Sequence, residues 1–346
     1  MRERTASVPP TSIGAARAGG RWLSLVVRVL LAGILALAAA EVAVRAYGGK
    51  PWKYVGLATG IPPTHAADPV LGWHPKPGRY EIPPFSPRGA PTTITIGPER
   101  TRSVGRAPRD ELPTLALFGD SFTFGWAVSD EETYAARLQE RLPSWTIQNW
   151  GVQGYGTYQS LLRMRRYLAS HPPPARILYG YFPSHEIRNV AHPVFTSALE
   201  QHSRHGLVAM PFATVDEEGR LIEHPPEAWP DWPLKEHLAI VSLLREWWMY
   251  WSRGGRLAQA RDVMHRILLE MMSLVQRHGS SFGVVLLSGS PEQVAHYENF
   301  LAQHEIETID CARRLTPDLQ VPGDGHANAR LHSMWAECIA AALTAS

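Results

Sequence analysis

The stretch that most constrains this chain is Leu115-Ala116-Leu117-Phe118-Gly119-Asp120-Ser121-Phe122-Thr123-Phe124-Gly125. A short apolar run of strand type stops at Gly-Asp-Ser, and a helix start follows at Ser129, with Glu132 in capping-box spacing. A buried strand that ends in a glycine-flanked serine is how an open α/β sheet exposes a reactive group at its carboxyl edge. A serine hydroxyl alone is a weak nucleophile, so a base and an oxyanion site must come from elsewhere in the chain. On its own the tripeptide reads first as a turn in which Asp120 and Ser121 bond the backbone. What lies downstream changes that balance.

From Pro113 onward, short apolar runs alternate with helical periods. Strands are expected at 114–118, 146–149, 177–181, 282–287 and 307–310. Helices are expected at 130–142, 158–169, 257–278, 291–304 and 329–342. This alternation predicts a parallel sheet covered on both faces, a three-layer α/β/α sandwich. Right-handed crossovers then put all strand carboxyl ends, and Ser121, on one edge. Residues 189–255 interrupt the pattern as an insertion, with Pro-rich loops around Trp229 and Trp232 and a helical period over 238–251. Its aromatic residues suit core packing first, and a sugar, a lipid or a membrane interface second.

The N-terminal region has a different character. Residues 1–21 are polar, hold four arginines and read as a disordered cytoplasmic tail. Residues 22–44 are apolar apart from Arg28 near one end and Glu41 near the other. As a helix they would span roughly 34 Å, enough to cross a bilayer. Arg28 can snorkel, and the preceding basic residues put the tail inside and the body outside. An uncleaved single-pass signal-anchor in the inner (cytoplasmic) membrane, with a periplasmic body, is the expectation. A cleaved signal peptide is the alternative, since Ala36-Leu37-Ala38 resembles a cleavage site. Residues 45–110 read as a linker and a small β-rich elaboration, with a turn at 68–73 and a strand at 92–96. The body that follows runs over 111–346.

Charge excludes one class of partner. Residues 1–50 carry seven basic and two acidic residues, leaving 27 basic and 30 acidic beyond, so the body has no electrostatic case for nucleic acid. No His-Glu-x-x-His, Cys-x-x-Cys or phosphate-binding loop occurs, so no metal and no cofactor is expected. Cys311 and Cys338 could form one bridge in an oxidising compartment; two buried free thiols is the favoured reading.

Near the C-terminus stands Val321-Pro322-Gly323-Asp324-Gly325-His326-Ala327-Asn328, just before a helix. Asp324 and His326 can share one cleft, the carboxylate on one ring nitrogen and the nucleophile on the other. Two intermediate stretches supply oxyanion candidates. Asn149-Trp150-Gly151-Val152-Gln153-Gly154 follows the second strand, and Pro183-Ser184-His185-Glu186 follows the third. Glycine lets a backbone N–H approach a developing negative oxygen, and His185 could donate to the same atom. His171, His192, His237, His265 and His332 lack such a partner pattern and read as packing or surface residues.

Together these blocks resemble the SGNH/GDSL hydrolase superfamily over about residues 110–345, and its membrane-anchored bacterial members in particular. The resemblance implies Ser121 as nucleophile, His326 as base and Asp324 as its orienting carboxylate. It implies Ser121 and Gly154 N–H groups, with His185 in the usual place of an Asn side chain, as the oxyanion site. Two positions depart from the family pattern, His185 for Asn and an Asp-x-His spacing of two instead of three. The implied activity is a serine-dependent esterase or deacylase acting on O-acyl groups of an envelope glycan or lipid. An O-acyltransferase on envelope polysaccharide and a non-catalytic glycan-binding or assembly factor are the alternatives.

Overall fold

The computed structural model describes residues 13–55, 63–202, 209–228 and 230–345, with side chains from residue 22 onward. Trp229 and residues 1–12 of the expected tail lie outside the described residues. The chain divides into two compact units, Met1–Lys53 with Asp231–Trp248, and Tyr54–Pro230 with Met249–Ser346.

The first unit is built on helix α1 (Ile13–Ala46). The helix starts nine residues before the expected apolar segment; residues 13–21 contain no proline to stop it, and their alanines and arginines offset three glycines. Its Trp22–Ala46 portion is long and apolar enough to cross a membrane. Every side chain over residues 22–39 is exposed. Near its end, Glu41 accepts hydrogen bonds from the N–H groups of Ala239 and Ile240, and Arg45 donates to the carbonyl of His237. Close by, the buried Lys235 ammonium lies 4.3 Å from the centre of the Trp52 ring.

The second unit opens with two antiparallel pairs, β1 (His65–Asp68) with β2 (Gly72–Pro75), and β3 (Gly78–Ile82) with β4 (Thr92–Ile96). Asp68 closes the first turn by accepting from Val70 and Leu71 N–H. Next come β5 (Thr114–Phe118), the short α2 (Ser121–Phe124), α3 (Tyr134–Arg141), β6 (Thr146–Asn149), α4 (Thr157–Ser170) and β7 (Arg176–Tyr181). The expected single helix over 130–142 is instead a 3-10 turn, Asp130–Glu132, followed by α3. Thr133 between them is extended and caps α3 through its hydroxyl.

Helices α5 (His185–Asn189) and α6 (Pro193–His202) lead to a hairpin of β8 (Ala209–Val215) and β9 (Leu221–Ala228). The hairpin replaces the expected Pro-rich loops. A two-stranded ribbon tolerates Pro211, Pro225 and Pro226, and the register shifts between Met210 and Phe212, at Pro211. After α7 (Ala239–Arg253) come α8 (Ala260–Arg277), β10 (Ser281–Leu286), α9 (Pro291–Gln303), β11 (Glu307–Asp310) and α10 (Ala329–Ala345).

The parallel sheet has the order β11-β10-β7-β5-β6. One face packs on α4 and α8 through Tyr158, Met164, Ile267 and Met271, the other on α3 and α10 through Leu138, Trp335 and Ile339. Strand order reverses between β5 and β7, and a crevice outside the carboxyl ends at such a switch point is where open α/β sheets bind ligands. Ser121 stands there. Cys311, just past β11, and Cys338 on α10 are joined in a disulfide with Cα atoms 5.8 Å apart, so the expected pair of free thiols is incorrect. The end of β11 is laid beside α10, a proximity that a separation of 27 residues does not announce.

Candidate active site

Local chemistry sets the turn that carries Ser121. β5 is buried on both faces and ends at Phe118, and the chain then turns sharply into α2. Asp120 caps α2 by accepting from Phe122 N–H at 3.0 Å. Gly119 is required by close approach, since a Cβ there would lie 2.2 Å from Thr123 Oγ1. Gly125 ends α2 in the left-handed region at φ 81°. Ser121, 4% exposed, is therefore held at the first position of a helical turn by groups on either side.

The loop after the 3-10 turn Pro317–Leu319 brings His326 and Asp324 to Ser121. Val321 N–H donates to the His326 carbonyl, and Asp324 and Gly325 N–H both return to the Val321 carbonyl. This tight turn faces His326 Nε2 to Ser121 Oγ at 3.0 Å and His326 Nδ1 to Asp324 Oδ1 at 2.5 Å. The same Oδ1 accepts from the His326 backbone N–H, while Oδ2 accepts from Trp126 Nε1 at 3.1 Å. Burial alone would raise the Asp324 carboxyl; the bonds from His326 and Trp126 outweigh it and hold it below the ordinary carboxylate value. The imidazole also packs against Phe122, which stacks on Phe182.

Asp120 and His185 form a second, deeper layer. The His185 ring is fully buried, with Nε2 3.2 Å from Asp120 Oδ2 and Nδ1 2.6 Å from the Tyr179 hydroxyl. The ring is thus buried beside the turn, with Nδ1 at Tyr179 and Nε2 near Asp120 without a hydrogen bond. Ser184 is already helical, which turns His185 inward as the first residue of α5. Arg188 lies 2.8 Å from the same Asp120 oxygen and also donates to the Tyr155 carbonyl. Burial would raise Asp120; the facing His185, Arg188 and the Phe122 N–H outweigh it and hold it down. Burial pushes the His185 imidazole below its ordinary value despite Asp120, and the Arg188 guanidinium lies 2.8 Å from the same carboxylate.

Gly154 sits on the loop after β6, at φ 75°, backed by Trp73. Two residues earlier, Val152 N–H donates to the Gly119 carbonyl and ties this loop to the turn that carries Ser121. Asn149 adds a brace, donating to the Thr123 carbonyl and accepting from Gly151 N–H. Ser121, Asp324 and His326 thus meet, Gly154 lies on a loop bonded to the same turn, and His185 lies below it. Sequence reasoning missed Trp126 and Arg188. The one available signal was composition, since an indole N–H and a guanidinium seek acceptors when buried. Among the described residues no cluster of three or more His, Cys, Asp or Glu could hold a metal ion.

A serine hydroxyl bonded to an imidazole that is itself bonded to a carboxylate is an arrangement for nucleophilic acyl transfer. No family model and no curated protein matches the sequence. Among solved structures the chain is similar to a lipolytic protein of the G-D-S-L family from Veillonella parvula, at 11% identity, over 67% of this chain and 98% of that one, with a TM-score of 0.39. It is similar to the psychrotrophic esterase EstA from Pseudoalteromonas sp. at 10% identity, over 67% and 97%, with a TM-score of 0.39. A carbohydrate esterase matches at 12% identity, over 82% and 85%, with a TM-score of 0.40.

Proposed function

We propose that this chain is a serine-dependent ester hydrolase that removes O-acyl groups from an envelope glycan or lipid outside the cytoplasm. The observation that carries the reading is the continuous relay from Ser121 Oγ through His326 to Asp324, at 3.0 and 2.5 Å. In this reading Ser121 Oγ attacks the ester carbonyl while His326 Nε2 takes its proton. Asp324 keeps the other proton on Nδ1 and stabilises the imidazolium that forms. The N–H groups of Ser121 and Gly154 receive the oxyanion. His326 then protonates the departing alkoxide, and water, deprotonated by the same imidazole, releases the acid and restores Ser121.

Two further features support the location. Helix α1 is apolar and exposed over the length of a bilayer crossing, with basic residues before it. The Cys311–Cys338 bridge fits an oxidising compartment. Labelling of the full chain by a fluorophosphonate, with Ser121→Ala and His326→Ala alongside, tests the reading. Fast labelling lost in both variants is expected. Labelling that persists in Ser121→Ala, or its absence in folded wild-type protein, would count against a catalytic serine. Acetate release from O-acetylated envelope polymer then tests the substrate class.

A further inference from the structure

We infer that helix α7 is a second membrane contact, lying along the bilayer interface with an apolar face turned to the lipid. The inference rests on reading Trp22–Ala46 as a membrane span.

Three observations carry it. The first is the helix itself. Leu243, Leu244, Trp247, Tyr250 and Trp251 are all exposed, Trp247 at 62% and Trp251 at 72%. Their spacing of i, i+1, i+4, i+7 and i+8 gathers them on one stripe about 120° wide. Ala239, Arg245 and Met249, outside or at the margin of that stripe, are buried, so the helix buries one side and exposes an apolar one.

The second is where α7 begins. A hydrocarbon core of about 30 Å takes about 20 helical residues, which counted from Trp22 ends near Glu41. Glu41 is the residue whose two carboxylate oxygens accept from Ala239 and Ile240 N–H, at 2.9 and 2.8 Å. Arg45, one turn on, fixes the His237 carbonyl at 3.0 Å. The start of α7 is therefore tied to the point where the span leaves the lipid tails, at the level of the headgroups.

The third is the chemistry of the stripe. Trp and Tyr are the side chains that settle at a membrane–water interface, and an amphipathic helix with Trp and Leu on one face lies in that plane. A second copy of the chain is the competing occupant of such a face. Continuity with the span favours lipid, because the span already brings the helix start to the bilayer surface.

The test uses the full chain reconstituted in vesicles of phosphatidylethanolamine and phosphatidylglycerol. A photoreactive p-benzoylphenylalanine replaces Trp247 or Trp251, with Leu31 in the span and Ser252 on the opposite side of α7 as reference positions. After irradiation, lipid adducts at 247 and 251 several-fold above those at 252, and comparable to those at 31, are the expected result. Adducts at 31 but none above the 252 level at 247 and 251 overturn the inference and leave the span standing. Protein–protein adducts at 247 or 251 in place of lipid assign the face to a second copy and overturn it as well. No lipid adduct at 31 refutes the span, and the inference falls with it.

Discussion

Replacing Asp324 by Asn isolates the orienting role of the carboxylate, because the change is nearly isosteric and the surroundings leave the amide no good pose. In the wild type, Oδ1 meets two His326 donors, the backbone N–H and the ring Nδ1, and Oδ2 meets Trp126 Nε1–H. An amide has one acceptor end. With its oxygen on the His326 side, its NH2 is pressed against the Trp126 N–H. With its oxygen on Trp126, its NH2 faces His326, stabilises the tautomer protonated on Nε2, and leaves Ser121 without a base. Triads lose roughly 10⁴-fold in kcat on this exchange, about 5 kcal/mol of barrier. The assay is kcat for hydrolysis of p-nitrophenyl acetate by the full chain in detergent, with thermal unfolding followed for both proteins. In a Ser121→Ala background the same exchange should cost almost nothing, because the three groups act as a unit. An Asp324→Asn enzyme that melts like the wild type and keeps kcat within about tenfold would refute the orienting role assigned from the geometry.

Trp126→Phe removes one donor from Asp324 Oδ2 and leaves the ring in place; a loss of about 1 kcal/mol, roughly fivefold in kcat, is expected in the same assay, and an unchanged kcat would rule it out. His332 is buried, accepts from Tyr134 N–H, and is held by burial, with Arg102 adding, down to about 3. Below its ordinary value of 6.5 the unfolded chain takes up a proton that the folded chain refuses, so stability falls as pH falls, by about 2 kcal/mol at pH 5 for this one residue. In His332→Gln the difference between urea unfolding at pH 7 and pH 5 should shrink by that amount; the same difference as in the wild type would refute the assignment. Removing the Cys311–Cys338 bridge by a double change to Ala releases a loop closed over 27 residues of sequence and should lower unfolding free energy by about 3–4 kcal/mol. Urea unfolding with and without the change measures it, and a loss under about 1 kcal/mol would show that the unfolded chain is already restrained there.

What was legible in the sequence is what local chemistry decides. Strands 114–118, 146–149 and 307–310 stand where their short apolar runs and turn residues put them. The parallel sheet with helices on both faces follows from alternation and the handedness of crossovers, while the strand order β11-β10-β7-β5-β6 does not. Ser121 and the Asp324–His326 pair were legible as a group because each occupies a glycine-bearing turn at the end of an element. Such a turn leaves its side chain facing the sheet's carboxyl edge whatever packs behind it. Trp126 was not legible, since its bond to Asp324 crosses 198 positions and depends on two loops meeting. The disulfide escaped for the same reason, being set by where α10 docks.

His185 shows the limit most sharply. Its position after β7 is a property of the sequence, but the direction of its ring depends on the backbone angles of Ser184. At φ −65° and ψ −9° that residue, the N-cap of α5, already has helical angles, and the next side chain is fully buried. There Tyr179 meets Nδ1, and Nε2 lies 3.2 Å from Asp120 without a hydrogen bond. Under the proposed function, the oxyanion donors at the cleft are the backbone N–H groups of Ser121 and Gly154. In that reading the residue at position 185 can change while Ser121 keeps its place, provided that something still supports Asp120. Arg188, bonded both to Asp120 and to the loop that carries Gly154, is the residue that couples those two demands.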